Sequence, residues 1–126
     1  MKKIIVTDKA PGAIGPYSQA VESNGLLFIS GQIPLIPGTK EMPNDIKSQT
    51  KQVMENIGAI LKTAGYGFEN VIKSTVLLTD INDFAAMNEV YGEYYKIDCP
   101  ARAAYQVSAL PLGAKVEIET VAYKKL

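Results

Sequence analysis

The stretch from Ile46 to Leu78 constrains the fold more than any other part of the chain. Apolar residues at Ile46, Val53, Ile57, Ile60, Leu61 and Ala64 recur on one helical face, and the pattern stops at Gly65. Asn44 or Asp45 can cap the start, because either side chain can accept from a free first-turn N–H. After Gly65-Tyr66-Gly67 comes Val71 to Leu78, rich in β-branched residues and almost continuously apolar, the pattern of a central strand. A strand-helix-strand unit follows.

The other segments complete a sheet around that unit. Lys3 to Val6 is a short β-branched strand, broken by the loop Ala10-Pro11-Gly12-Ala13-Ile14-Gly15-Pro16. Tyr17 to Glu22 and Leu26 to Ser30 flank Ser23-Asn24-Gly25, whose Asn-Gly pair tolerates positive φ and so marks a hairpin. Pro34 to Asn44, with three prolines and one glycine, reads as a surface loop. A second helix is expected from about Asn82 to Lys96, with Phe84, Met87, Val90, Tyr91, Tyr94 and Tyr95 near one stripe. Strands at Ala103 to Val107 and Lys115 to Lys124 close the chain, separated by the turn-like Leu110-Pro111-Leu112-Gly113. The order β, β, β, α, β, α, β, β has two helices for six strands, so the economical α+β packing puts both helices on one face of a mixed sheet. In the last strand Val116, Ile118, Thr120 and Ala122 point one way while Glu117, Glu119, Val121 and Tyr123 point the other, so both faces carry apolar residues. That pattern argues for an oligomer whose sheets pack together.

A length of 126 residues fits a single domain spanning 1–126, with 47% hydrophobic and 21% charged residues, as in an ordinary globular protein. The formal net charge is zero, which leaves no basic footprint for nucleic acid; the paired lysines at Lys2-Lys3 and Lys124-Lys125 are read as solubilising. The lone Cys99 has no disulfide partner, and neither a signal peptide nor a long apolar span occurs, so a cytoplasmic location without membrane contact is expected.

The chain has no histidine, which removes the Ser-His-Asp and Cys-His arrangements and leaves a zinc site only one thiol and carboxylates to use. Gly12-x-x-Gly15 is too short for a phosphate loop and precedes no helix. Chemistry therefore rests on carboxylates, hydroxyls, backbone amides and Arg102, the one arginine. A guanidinium presents a planar fork that matches a carboxylate, where lysine offers only a hydrated point charge. The same arginine can also simply brace a loop. Glu117 and Glu119 share a face of their strand and form an acid/base pair if that face lines a cleft; otherwise they are a solvated edge. Ser30-Gly31-Gln32 ends a strand at a glycine, where a backbone N–H can reach a ligand oxygen unobstructed.

Together, Ile14-Gly15-Pro16-Tyr17-Ser18-Gln19-Ala20, Ser30-Gly31-Gln32-Ile33-Pro34, Asn82-Asp83-Phe84 to Asn88, Pro100-Ala101-Arg102 and Val116-Glu117-Ile118-Glu119 resemble, in order and spacing, the RidA/YjgF family of enamine/imine deaminases. The resemblance covers essentially the whole chain. It implies a cytosolic homotrimer of chorismate-mutase-like α+β fold, with sites in clefts between subunits and no metal or cofactor. It also implies hydrolysis of 2-aminoacrylate, 2-iminopropanoate and 2-iminobutanoate to 2-keto acids and ammonia. In that reading Arg102 anchors the substrate carboxylate, Glu117 positions and activates water, and Tyr17, Ser30, Gly31 and Asn88 line the pocket. Many members carry cysteine where this chain has Ala104, so the thiol is lost and a backbone contact is expected to serve; Cys99, on the other side of Arg102, is not its replacement. A shortened segment before Pro100 alters the pocket rim. Two alternatives stand beside the deaminase: a non-catalytic trimer that binds 2-keto acids, and the endoribonuclease or translation-inhibitor activity attached to some members, which zero net charge disfavours.

Overall fold

Asp45 sets the long helix in place. In the computed structural model, which describes residues 1–126, its carboxylate accepts from the Ser48 N–H at 3.0 Å, and this bond holds its pKa below the usual value. Helix α1 then runs Ile46–Ala64 and ends where Gly65 turns left-handed at φ 84°. The strands are β1 (Lys3–Ile5), β2 (Ala20–Ser23), β3 (Leu26–Gln32), β4 (Val71–Leu78), β5 (Ala101–Gln106) and β6 (Val116–Tyr123), and the second helix is α2 (Phe84–Tyr91). They form one mixed sheet in the order β1-β2-β3-β6-β4-β5, antiparallel except for the parallel pair β4–β5. The crossovers β3-α1-β4 and β4-α2-β5 lay both helices on the same face, the expected α+β arrangement.

The core lies between that face and the helices. Leu27, Ile29, Val76, Leu78, Val116 and Ile118 from the sheet meet Val53, Met54, Ile57, Ile60, Leu61 and Met87 from the helices. Burying each such side chain contributes about 1.5–3 kcal/mol. On the other face, successive antiparallel pairs set Ile4, Val21, Phe28 and Val121 in a row, with Tyr123 and Tyr105 on the same side. Ile4, Phe28, Tyr105 and Tyr123 remain about half exposed there.

Several boundaries differ from the expectation. The second helix, expected to reach Lys96, ends at Tyr91, because Gly92 follows and the chain tightens into i→i+3 bonds from Glu93 to Val90 and from Tyr94 to Tyr91. At its start a 3-10 turn, Ile81–Asp83, takes the place of helix, capped by the Asp80 carboxylate on the Asn82 N–H. Tyr94 and Tyr95 nonetheless pack inward, their ring centroids 5.2 and 5.6 Å from that of Phe68, the first tilted and the second edge-on. Strand β2 begins at Ala20 instead of Tyr17, since the Gln19 side chain is committed to the preceding loop. Strand β3, expected to stop at Ser30, continues through a register shift between Ile29 and Gln32, so Gly31 sits in a bulge and not at a strand end. The last two strands begin two residues earlier and one residue later than expected, at Ala101 and Val116. The hairpin falls where expected, with positive φ at Asn24 (51°) and Gly25 (84°).

Candidate active site

The bulge in β3 places the first half of the site. Gly31 lies so close to Glu117 of β6 that an added β-carbon would fall on the Glu117 carboxylate, so only glycine lets that side chain lie along the strand. Tyr17, Ser30, Gly31, Glu117 and Glu119 line one cleft of about 450 Å³, with Ile14, Ile33 and Pro111 as apolar walls. Burial, and then repulsion from Glu119, raise the Glu117 pKa above the ordinary carboxylate value. A carboxylate shifted in that direction is a better proton acceptor near neutral pH.

Buried amides hold this half rigid. The Gln19 Nε2 donates to the carbonyls of Thr7 (2.9 Å) and Pro11 (2.8 Å), while its Oε1 accepts from the Thr7 N–H at 2.8 Å. The loop bearing Ile14 and Tyr17 is thereby stapled to β2. The Ser30 hydroxyl donates to the Ser18 carbonyl at 2.6 Å, which ties β3 to the same loop. From α1, Asn56 Nδ2 donates to the carbonyls of Ile33 and Leu35, and the Gln49 Oε1 accepts from the Lys115 N–H at 2.9 Å. These amides fix the segments that follow Gly31 and precede Glu117. Sequence reasoning gave Gln19, Gln49 and Asn56 no role, although Gln49 and Asn56 share a helical stripe with Val53, Ile57 and Ile60, and a polar residue on an apolar stripe is the signal of a structural amide.

The second half is built on α2 and β5. Arg102 Nη1 donates to Asn88 Oδ1 at 2.6 Å, and the guanidinium carbon stands 5.0 Å from the Tyr91 ring centroid and 5.4 Å from that of Phe84. No carboxylate of the chain pairs with it; the single ion pair joins Lys47 to Glu89. The guanidinium is exposed, so the edge not used by Asn88 is open to an external anion. Ala104 follows two residues on, along the same face of β5.

The two halves lie on opposite faces of the sheet. Arg102 stands opposite Ser74 on β4 and Glu117 opposite Leu77, three residues further along, so alternation sends their side chains to opposite sides. Within one chain, then, Tyr17, Ser30, Gly31, Glu117 and Glu119 come together, Asn88 and Arg102 come together, and the two groups do not meet. No cluster of side chains suited to a metal ion occurs.

With this geometry in view, the comparisons with known proteins are specific. Residues 7–124 match the endoribonuclease L-PSP family. The chain is 56% identical over 126 residues to a RutC family protein of Pyrococcus horikoshii, covering 99% of this chain and 100% of that protein. It is 53% identical over 123 residues to the 2-iminobutanoate/2-iminopropanoate deaminase of Homo sapiens, covering 97% and 90%. Among solved structures, RidA from a Psychrobacter species superposes with a TM-score of 0.94 at 48% identity, over 97% of this chain and 99% of that one. TdcF of E. coli with bound serine superposes at 0.93 and 45%, over 98% and 99%. The chain belongs to the endoribonuclease L-PSP family, which is the RidA/YjgF family.

Proposed function

We propose that this chain is an enamine/imine deaminase that hydrolyses small 2-imino and 2-enamino acids to 2-keto acids and ammonia. The carrying observation is the split site: an unpaired, rigidly held guanidinium on one face of the sheet and a carboxylate of raised pKa in a cleft on the other. A site using both needs two chains. In a homotrimer of the chorismate-mutase-like arrangement, the open face of one sheet packs against its neighbours, and Arg102 of one chain completes the Glu117 cleft of the next. The half-exposed Ile4, Phe28, Tyr105 and Tyr123 support such packing.

The chemistry follows from the groups present. Arg102, with Asn88 holding one edge, grips the substrate carboxylate, while Tyr17, Ser30, Gly31 and the backbone at Ala104 surround the rest. Glu117 takes a proton from water, whose oxygen bonds to the electrophilic imine carbon as the C=N π electrons move to nitrogen. The carbinolamine formed from the protonated imine takes that proton back from Glu117 on nitrogen, the C–N bond breaks to release ammonia, the hydroxyl proton passes to the Glu117 carboxylate, and the keto acid remains. An enamine enters after protonation at its terminal carbon gives the imine. Electrophilicity resides in the substrate, so the reading needs no metal or cofactor. The reading is of a cytoplasmic protein; no helix is long and apolar enough to cross a membrane.

The names of the relatives support the reaction, and serine bound to TdcF supports a small α-carboxylate ligand. The family description also names an endoribonuclease, which a chain of zero net charge does not favour over the deaminase. The test generates the imine in situ with an amino-acid oxidase or threonine dehydratase and follows keto-acid or ammonia release. Acceleration on adding the protein is expected. Its absence would favour a non-catalytic keto-acid-binding assembly.

A further inference from the structure

Four hydroxyls beneath the helix-covered face have no protein partner: Ser74 Oγ, Thr120 Oγ1, Tyr91 OH and Tyr95 OH. All four residues are more than nine-tenths buried. Native interiors rarely leave one such group unpaired, and four together call for a physical account. Their placement is regular. Thr120 of β6, Ser74 of β4 and Arg102 of β5 stand side by side in one cross-strand row, all facing the helices. Tyr91 and Tyr95 cover that row, their ring centroids 4.8 Å apart, and the Tyr91 ring lies under the guanidinium. Burial raises the pKa of both phenols, and the nearby Ser74 hydroxyl partly offsets that rise.

We propose that Ser74, Thr120, Tyr91 and Tyr95 enclose one buried water, and that Ser74 acts through it as a positioning residue for Arg102. A water offers two donors and two acceptors, and a pocket with several convergent hydroxyls is polar enough to hold it. Held at its hydroxyl end, Tyr91 cannot tip, so its ring keeps the guanidinium plane fixed from below while Asn88 fixes one edge. The free edge then faces the incoming carboxylate in one orientation. The kinetic consequence rests on the deaminase reading; the water does not.

The experiment has two arms. A high-resolution crystal structure of the wild-type protein should show a density peak within hydrogen-bond reach of Ser74 and both tyrosine hydroxyls. No peak, with the hydroxyls bonded directly to one another, would overturn the proposed water. In solution, Ser74→Ala should raise the KM for the imine and the Kd for 2-ketobutyrate about 5- to 30-fold, with kcat within about twofold, and Ser74→Thr should restore both constants. A Ser74→Ala variant that only melts earlier, with KM and Kd unchanged, would overturn the positioning role. Tyr95→Phe gives a second variant should Ser74→Ala fail to fold, with the same expected rise and the same contrary result. If the wild type proves inactive on imines, the deaminase reading fails, while the density and the 2-ketobutyrate Kd still decide this inference.

Discussion

The two faces of the single sheet make the most instructive comparison in this molecule. The helix-covered face is built of side chains such as Leu27, Val76, Val116 and Ile118 that are wholly inaccessible, whereas the open face leaves Phe28, Tyr105 and Tyr123 half exposed. Adjacent residues on one strand, Leu27 and Phe28, therefore have different tasks. The first holds the chain together, and the second is the one the proposed function uses to hold chains to each other. The site follows the same division: Arg102 belongs to the covered side and Glu117 to the open side. The sheet thus stands between Arg102 on β5 and Glu117 on β6, and in the proposed function a second chain brings the two groups together.

The largest expected effect is at Glu117. A positioned general base contributes about 10²–10⁴-fold to rate, so Glu117→Gln should lose that much kcat while binding 2-ketobutyrate nearly as wild type does. Glu119→Gln, further along the same face, should cost less. Equal turnover of wild type and Glu117→Gln would remove Glu117 from the mechanism. At Arg102, Arg102→Lys keeps the charge and loses the fork, so kcat/KM and 2-ketobutyrate affinity should fall by about 10-fold or more with the melting temperature little changed. A lysine variant with wild-type kinetics would show that the carboxylate is held elsewhere.

The next comparison is of stability with assembly. Leu27→Ala opens a cavity under α1 and should destabilise the fold by about 2–5 kcal/mol. Phe28→Ser should instead shift the chain toward monomer in light scattering, with much less loss of intrinsic stability. Similar destabilisation by both, with assembly intact, would erase the distinction between the faces. Gly31→Ala should displace the Glu117 carboxylate and lower kcat, since the new β-carbon takes its space.

The smallest effect is in pH dependence. Burial raises the Glu117 pKa in the folded chain, so the folded state binds that proton more tightly than the unfolded state. Its contribution is fully present below the unfolded value and is lost as pH rises through the folded one. Glu117→Gln should therefore melt slightly higher than wild type at neutral pH, and the gap should close on acidification. Activity should run the opposite way, falling as pH drops through the same raised value, because the base must be ionised.

Much of the fold was legible because its signals are local. The stripe of α1, the stop at Gly65, the Asn24-Gly25 turn and the β-branched run of β4 each act within a few residues. The end of α2 was not, because Tyr94 and Tyr95 continue the apolar pattern while the backbone has already turned at Gly92. Burial of a side chain and continuation of a helix are separate events. At the site, residue types pointed to Arg102, the Glu117 and Glu119 pair and Gly31, and the family resemblance added Tyr17 and Asn88, but neither showed the face each occupies relative to the others, which depends on register across three strands. Nor did the stack of Arg102 on Tyr91 and Phe84, or the staple made by Gln19, have a sequence signature, because both join segments distant in the chain.

The central claim is that one reaction centre takes Arg102 from one chain and Glu117 from another. Co-expression of Arg102→Ala and Glu117→Gln chains tests it directly, since each variant alone should have little activity while mixed assemblies should contain interfaces where both native residues meet. Random mixing in equal amounts should recover about one quarter of the wild-type sites and a matching share of turnover. Mixed assemblies no more active than either variant alone, with both variants folded and assembled, would contradict the account.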